Sequence, residues 1–275
     1  LMTRLRALHE ATGQRALCLA GGVALNCTAN GRILANTPFE ELFVQPAAHD
    51  AGTAYGAALV AHQKAGGAPI EAQRSVAWGP SFDDADISNA LAARNLTAIT
   101  TENVIQSTAN LLANGMVVGW FDGALEFGPR ALGQRSILAD PRQPDMADHV
   151  NARVKHREAF RPFAPAVLVQ DTANYFEGTA TPFMTTVLNV RPECRDKIPA
   201  ITHANGSARV QTVSKDNGAY FELIEAFKSI TGIPMLLNTS FNLRGDAIVC
   251  TPDQAIDDYL KTEMDALYLQ GHLLV

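Results

Sequence analysis

Residues 16–26, Ala-Leu-Cys-Leu-Ala-Gly-Gly-Val-Ala-Leu-Asn, read as a buried strand, Ala16 to Ala20, that ends in a glycine pair and opens a helix. A short apolar run suits a strand covered on both faces, and glycine lets the chain turn where a side chain would obstruct it. An amphipathic helix up to about Gly13 comes before this stretch; a strand from Glu41 to Gln45 and an alanine-rich helix from Gly52 follow it. This alternation is the signature of an α/β unit. Two strands fall short of a usual sheet of about four to six, so the piece reads as the end of a larger domain. The chain opens on Leu1, and its first residues read as helix from within a domain, so it is read as N-terminally incomplete.

Lys64 to Pro80 is rich in Gly, Pro and small residues and reads as a linker, placed at 68–79 between units 1–67 and 80–275. Beyond it, periodicity predicts helices near Asp86 to Arg94, Val104 to Asn114, Asp145 to His156, Ala219 to Thr231 and Pro252 to Thr262, the last with Thr251 as its N-cap. Strands are predicted in a short threonine-rich stretch after Asn95 and at Met116–Phe121, Phe163–Val169, Phe183–Val190, Ala208–Val213, Pro234–Leu237 and Ala266–Leu269, with a long polar loop after Phe121. The expectation is a second α/β domain with a mixed sheet.

The 275 residues are 47% hydrophobic and 18% charged, which supports a buried core and excludes disorder. No apolar run approaches the roughly 20 residues of a membrane span. A formal charge of −6 argues against a general binder of polyanions, so any anion site must be local. Cys18, Cys27, Cys194 and Cys250 lie far apart with no Cys-x-x-Cys pair and no signal sequence, which fits free thiols in a reducing cytoplasm.

Gly21, Gly22 and the helix after Asn26 form either a nucleotide-approach site at a positive helix end or a plain tight turn. Asp50, in Gln-Pro-Ala-Ala-His-Asp-Ala-Gly, is a metal or nucleotide ligand or simply a helix cap. From Arg130 to Arg161 there are seven Lys and Arg against four acidic residues, a local +3 that leaves −9 for the rest of the chain. A cationic island in an acidic protein points to an anion, and Arg suits bidentate phosphate contacts; Arg153 and Arg157 are assigned to a solvated helix face instead. Arg209 and the run Asn238-Thr-Ser240-Phe-Asn242-Leu-Arg-Gly-Asp complete the candidate pocket, hydroxyls and amides after a strand being natural phosphate and ribose ligands.

Taken in order, GGVALN, HDAGTAYGAA, GPRALGQRSILADPR, KHREAFRPFAP and NTSFNLRGDAIVCTP resemble the C-terminal half of the O-carbamoyltransferases that modify antibiotics and nodulation factors. The resemblance implies the C-terminal piece of an actin- and sugar-kinase-like transfer domain followed by a YrdC-like α/β domain with a mixed twisted sheet. It implies that the second domain makes carbamoyl-adenylate from carbamoyl phosphate and ATP, and that the first passes the carbamoyl group to a hydroxyl of a small-molecule or natural-product acceptor. By the same resemblance Arg130, Lys155, Arg161, Arg209, Ser240 and Asn242 contact carbamoyl phosphate and ATP, with Lys155, Arg130 and Arg161 in the catalytic role. Gly21, Gly22 and Asn26 would line the nucleotide pocket of the transfer domain. Asp50 would be one ligand of its Fe or other divalent metal, and Mg would accompany ATP.

The family's His-x-x-x-His pair and general base belong to the N-terminal half, and none of the seven histidines here shows that spacing. Adenylate formation without completed transfer is therefore expected of this chain alone. A binding protein for RNA or a nucleotide is the alternative, but the basic segment lacks the interleaved aromatic platforms of single-strand recognition.

Overall fold

The structure is a computed structural model that describes residues 1–70, 73–179 and 181–275. In the N-terminal unit, β1 (Ala16–Leu19) lies parallel to β2 (Glu41–Val44), with Ala16 opposite Glu41 and Leu19 opposite Val44. The helix Met2–Thr12 buries Leu5 against Leu17, Ile33 and Phe39. The helix Gly52–Lys64 has no buried residue at all, although seven of its thirteen residues are Ala, Leu, Val or Tyr.

The second unit is a seven-stranded mixed sheet beside a small antiparallel one. Its strands are β3 (Val118–Phe121), β4 (Arg135–Ala139), β5 (Ala164–Leu168), β6 (Phe176–Glu177), β7 (Val187–Val190), β8 (Ser207–Arg209), β9 (Gln211–Val213), β10 (Met235–Ser240), β11 (Ala266–Leu269) and β12 (His272–Leu274). The large sheet runs β12-β11-β3-β4-β10-β5-β9, and the small one β6-β7-β8. β11 with β3 and β5 with β9 pair parallel; the other neighbours in the large sheet are antiparallel. The helix Ala219–Thr231 packs Tyr220, Leu223, Ile224 and Phe227 inward, the i, i+3, i+4, i+7 stripe of a helix on a core. In Thr-Pro-Asp-Gln, Thr251 and Gln254 form a capping box that starts Pro252–Lys261, with proline where a free N–H is not needed.

The mixed α/β architecture is the expected one, and four local readings change. The loop after Phe121 contains β4, whose five residues are all buried between β3 and β10. It begins with Arg135 and Ser136, so its polarity hid a central strand. The threonine-rich strand after Asn95 does not form; a single backbone bond from Ile99 N to the Leu273 carbonyl (2.8 Å) holds that stretch. The Phe183–Val190 strand is confined to Val187–Val190, because Met184 takes a positive φ of 54° and packs with Phe183 in a second small core. The Ala208–Val213 strand is two strands: the chain leaves the small sheet after Arg209 and joins the large sheet at Gln211.

Of the stretch read as a linker, residues 71–72 lie outside the described residues. Its later part is tied to the second unit by Phe127 N to the Val76 carbonyl (2.7 Å), Gly79 N to the Leu125 carbonyl (2.9 Å) and Leu125 N to the Pro80 carbonyl (3.0 Å). Trp78 stacks between Tyr55 of the helix Gly52–Lys64 and Phe127, with ring centroids 4.7 and 5.9 Å away. The buried Asn30 amide donates to the carbonyls of Ala24 (2.8 Å) and Thr185 (2.9 Å), and Gly31 lies so close to β7 that a Cβ there would overlap the Val187 carbonyl.

Gly31→Ala is expected to loosen this junction and lower the urea midpoint, since backbone faces backbone and neither can yield. Gly56→Ala, on the open face of Gly52–Lys64, should leave the midpoint unchanged or raise it, by up to about 1 kcal/mol of stability from helix propensity.

Candidate functional site

The loop from Asp122 to Gln134 joins two central strands and carries Arg130. Its shape is set from inside. Glu126 is buried, and its Oε1 accepts the N–H groups of Leu132 (2.7 Å) and Arg135 (3.3 Å). Gln211 Nε2 donates to the Leu132 carbonyl (2.7 Å), while Asn238 Nδ2 donates to Gln211 Oε1 (2.8 Å) and the Ala131 carbonyl (3.3 Å). Burial pushes the Glu126 carboxyl up, and the two donated N–H bonds and Arg135 act against that shift.

Only one of the loop region's three arginines is free to meet a ligand. Arg135 is fully buried, with Nη1 donating to the carbonyls of Asp122 (2.9 Å), Gly123 (3.1 Å) and Gln134 (2.9 Å) and its guanidinium 3.5 Å above the Phe121 ring. Arg142 is paired with buried Asp140 at 2.6 Å. Among the described residues Arg130 makes no ion pair, and its charge is felt by Arg209.

Arg209 ends β8 where the chain changes sheets. Burial first, then the charge of Arg130 and more weakly that of Arg157, push its guanidinium down, against the Cys27 thiol. Its Nε is buried and has no partner among the described residues. Arg157 is part of this cluster rather than a solvated face: Nε donates to Asn151 Oδ1 (2.6 Å) and its guanidinium lies 4.7 Å over Phe163. Arg153, by contrast, is exposed and 3.6 Å from Glu263. Arg161 is half-exposed on the rim, 3.9 Å from Glu158.

Lys155 closes the widened π-helical turn Val150–Lys155 and is buried. Its Nζ donates to the carbonyls of Ser240 (2.8 Å) and Asn242 (2.8 Å) and to Asn242 Oδ1 (2.7 Å), with Ser240 Oγ at 3.4 Å. Ser240 Oγ in turn donates to Asn242 Oδ1 (2.6 Å). An ammonium has three N–H groups, so this set occupies all of them. Burial and Arg157 push Lys155 down to about 7, while these oxygen acceptors favour its charged form. Three of the candidates thus meet as one unit at the end of β10, and Arg130 and Arg209 form a second.

The N-terminal candidates gather separately. Gly21 has a positive φ of 95°, donates to the Ala48 carbonyl (2.7 Å) and, like Gly22, faces open space. Asn26 Oδ1 caps the next helical turn through Ala29 N (3.0 Å). Asp50 does not cap its helix with its carboxylate; its carbonyl accepts from Thr53 N (3.0 Å) and Oγ1 (2.6 Å). No three His, Cys, Asp or Glu side chains converge among the described residues, so one exposed carboxylate is not a donor set that fits a metal ion. The two gatherings are nevertheless neighbours, for a Cβ on Gly128 would lie 3.6 Å from the Pro46 carbonyl. Two clefts of about 690 and 870 Å³ lie at the junction of the units, and none of the cationic candidates lines either.

Glu126 and Gln211, which hold the loop, were not singled out in the sequence, and Arg157 was assigned there to a solvated face. The segment Glu-Phe-Gly-Pro-Arg contained the signal for the first, a lone acid at the head of a basic loop.

Comparison with known proteins matches residues 109–275 to a family described as carbamoyltransferase C-terminus and residues 1–59 to carbamoyltransferase N-terminus. The chain is 48% identical to nodulation protein NolO of Bradyrhizobium diazoefficiens, over 98% of this chain and 51% of that protein. It is 46% identical to nodulation protein NolNO of Sinorhizobium fredii, over 98% of this chain and 41% of that protein. It therefore spans about half or less of these relatives. Among solved structures, E. coli YciO is 14% identical with a TM-score of 0.43, over 64% of this chain and 82% of that one, too loose an overlap to bear on function.

Glu126→Ala should lower stability by about 2–4 kcal/mol in urea, because two buried N–H groups lose their acceptor. Burial raises Asp122, at the start of the same loop, to about 6. A folded-state value above the ordinary one means the ionised form is penalised, so stability falls as pH rises from about 4 to 6. Asp122→Asn should gain about 1–2 kcal/mol at pH 8 and nothing at pH 3.5, read by paired urea melts.

Proposed function

The chain belongs to the carbamoyltransferase family, and from that premise we propose that it forms carbamoyl-adenylate from carbamoyl phosphate and ATP for transfer to a hydroxyl of a small-molecule acceptor. The observation that carries this reading is the pair Arg130 and Arg209, two guanidinium groups within electrostatic reach of each other, one of them half-buried with an Nε that is itself buried and has no partner among the described residues. Such a pair is costly unless an anion lies between its members.

Adenylate formation consumes carbamoyl phosphate, ATP and water and releases inorganic phosphate and pyrophosphate. The reactants repel each other, and charge builds on phosphoryl oxygens as they approach. Arg130 and Arg209 would neutralise that charge with donors already in place, which lowers the barrier without a covalent intermediate on the protein. Lys155 would add positive charge from behind while fixing the Ser240–Asn242 turn. Arg161 would meet the anion at the rim.

Transfer is a separate matter. Gly21, Gly22 and Asn26 would border the nucleotide in the transfer step, and Asp50 alone supplies no metal site, so no step is routed through a metal here. The acceptor's chemistry is proposed only as a hydroxyl on a small molecule. No helix among the described residues is long and apolar enough to cross a membrane.

Incubating the purified chain with carbamoyl phosphate, ATP and candidate acceptors, and following pyrophosphate and product mass separately, tests the reading. Pyrophosphate release that depends on carbamoyl phosphate is expected, and none at any enzyme concentration would refute it. Arg130→Ala and Arg209→Ala should each reduce that release about 10²-fold, corresponding to about 2.7 kcal/mol. Arg153→Ala should change it less than about twofold; equal losses in all three would mean the cluster is only structural.

A further inference from the structure

The most exposed large apolar side chain among the described residues is Phe160, with 83% of its surface open to water. Single apolar residues on a surface are ordinary. The placement of this one is not, because it stands between Arg157 and Arg161 in the short connection from Lys155 to β5.

That connection is anchored on both sides of the ring. Arg244 Nη1 donates to the His156 carbonyl (3.1 Å), and its Nη2 lies 3.8 Å from the Glu158 carboxylate. Arg161 N donates to the Glu158 carbonyl (3.1 Å), closing a turn with Phe160 at its tip, and Asn151 Nδ2 holds the Arg161 carbonyl (3.2 Å). The neighbouring phenylalanine, Phe163, is buried under the Arg157 guanidinium. Arg157 is itself held by Asn151 Oδ1 (2.6 Å), so it stays on Phe163 and leaves Phe160 bare.

Arginine and lysine explain the capture of phosphate. That capture is the same for any polyphosphate; a preference for a nucleotide needs a surface that stacks on the flat face of the base, which an exposed aromatic ring provides. Phe160 is held out beside the charges that would take the phosphates: Arg161 acts on both Lys155 and Arg157, and Arg157 on Arg209.

We propose that Phe160 is the base platform of this site, stacking on the purine of ATP and so setting its preference for a nucleotide over a bare polyphosphate. The proposal rests on the reading of the cluster as an ATP site. It assigns to Phe160 the affinity that depends on the nucleoside, and to the arginines the affinity that does not.

The test uses the full chain with Trp78→Phe and Phe160→Trp, which keeps the stack at position 78 and leaves Trp120, fully buried, as a constant background. Titration with ATP should quench the new tryptophan. Tripolyphosphate should displace ATP without quenching by itself. In calorimetry, Phe160→Ala should weaken ATP binding about tenfold or more and leave tripolyphosphate binding within twofold, with unchanged far-UV circular dichroism. The proposal is overturned if ATP binds without altering the emission, or if Phe160→Ala binds ATP as tightly as the parent. If both probes bind the parent but lose equal affinity in Phe160→Ala, the ring only supports the loop and the platform role is wrong. If neither probe binds the parent chain, the ATP reading itself fails and takes this proposal with it.

Discussion

β10 is apolar over its first half, Met235 to Leu237, and polar over its second, Asn238 to Ser240, and the second unit is arranged around that change. Flanked by β4 and β5, it has no solvent edge, so Met235, Leu236 and Leu237 pack into the core. Asn238 is still fully inside, and a buried amide needs partners. It finds them in Gln211 on β9 and in the Ala131 carbonyl of the Arg130 loop. Two residues later Ser240 and Asn242 surround the Lys155 ammonium. One strand therefore fixes, through its own polar terminus, both the loop that carries Arg130 and the lysine at the end of the π-helical turn.

The charge distribution follows the same plan. Arg142 is paired with Asp140, and Arg135 is held by carbonyls at Nη1 and by the Phe121 ring although its Nε and Nη2 find no partner among the described residues, whereas Arg130 and Arg209 repel each other. A fold that buries cations usually pairs each with an acid. Here the acid nearest the loop, Glu126, spends its oxygen on backbone N–H groups and shapes the loop. The positive charge of Arg130 is thereby left without an ion pair among the described residues, while the chain outside residues 130–161 is acidic.

The junction of the units puts the two candidate centres side by side. Asn30 and Gly31 lock the N-terminal piece to the segment around β7, and the Tyr55–Trp78–Phe127 stack runs from the Gly52–Lys64 helix to the residue before Gly128. The Gly21 and Asp50 loops, joined through Ala48, consequently border the Arg130 loop.

The sequence by itself determined the α/β class, the helices with clean 3.6-residue stripes such as Ala219–Thr231, the N-cap at Thr251, and the local excess of positive charge from Arg130 to Arg161. Those features are local: periodicity, cap chemistry and charge density are written in neighbouring residues. Tertiary structure alone decided which arginine faces inward, because Arg130, Arg135 and Arg142 look alike in a string and differ only in what surrounds them. It also decided that β4 is a central strand despite opening with Arg-Ser, and that the chain changes sheets beside Arg209, since strand pairing is a long-range choice. The same holds for the two phenylalanines of the basic segment. No aromatic platform was legible there, because burial is not a property of sequence spacing, and only the packed Arg157 separates a covered Phe163 from an open Phe160.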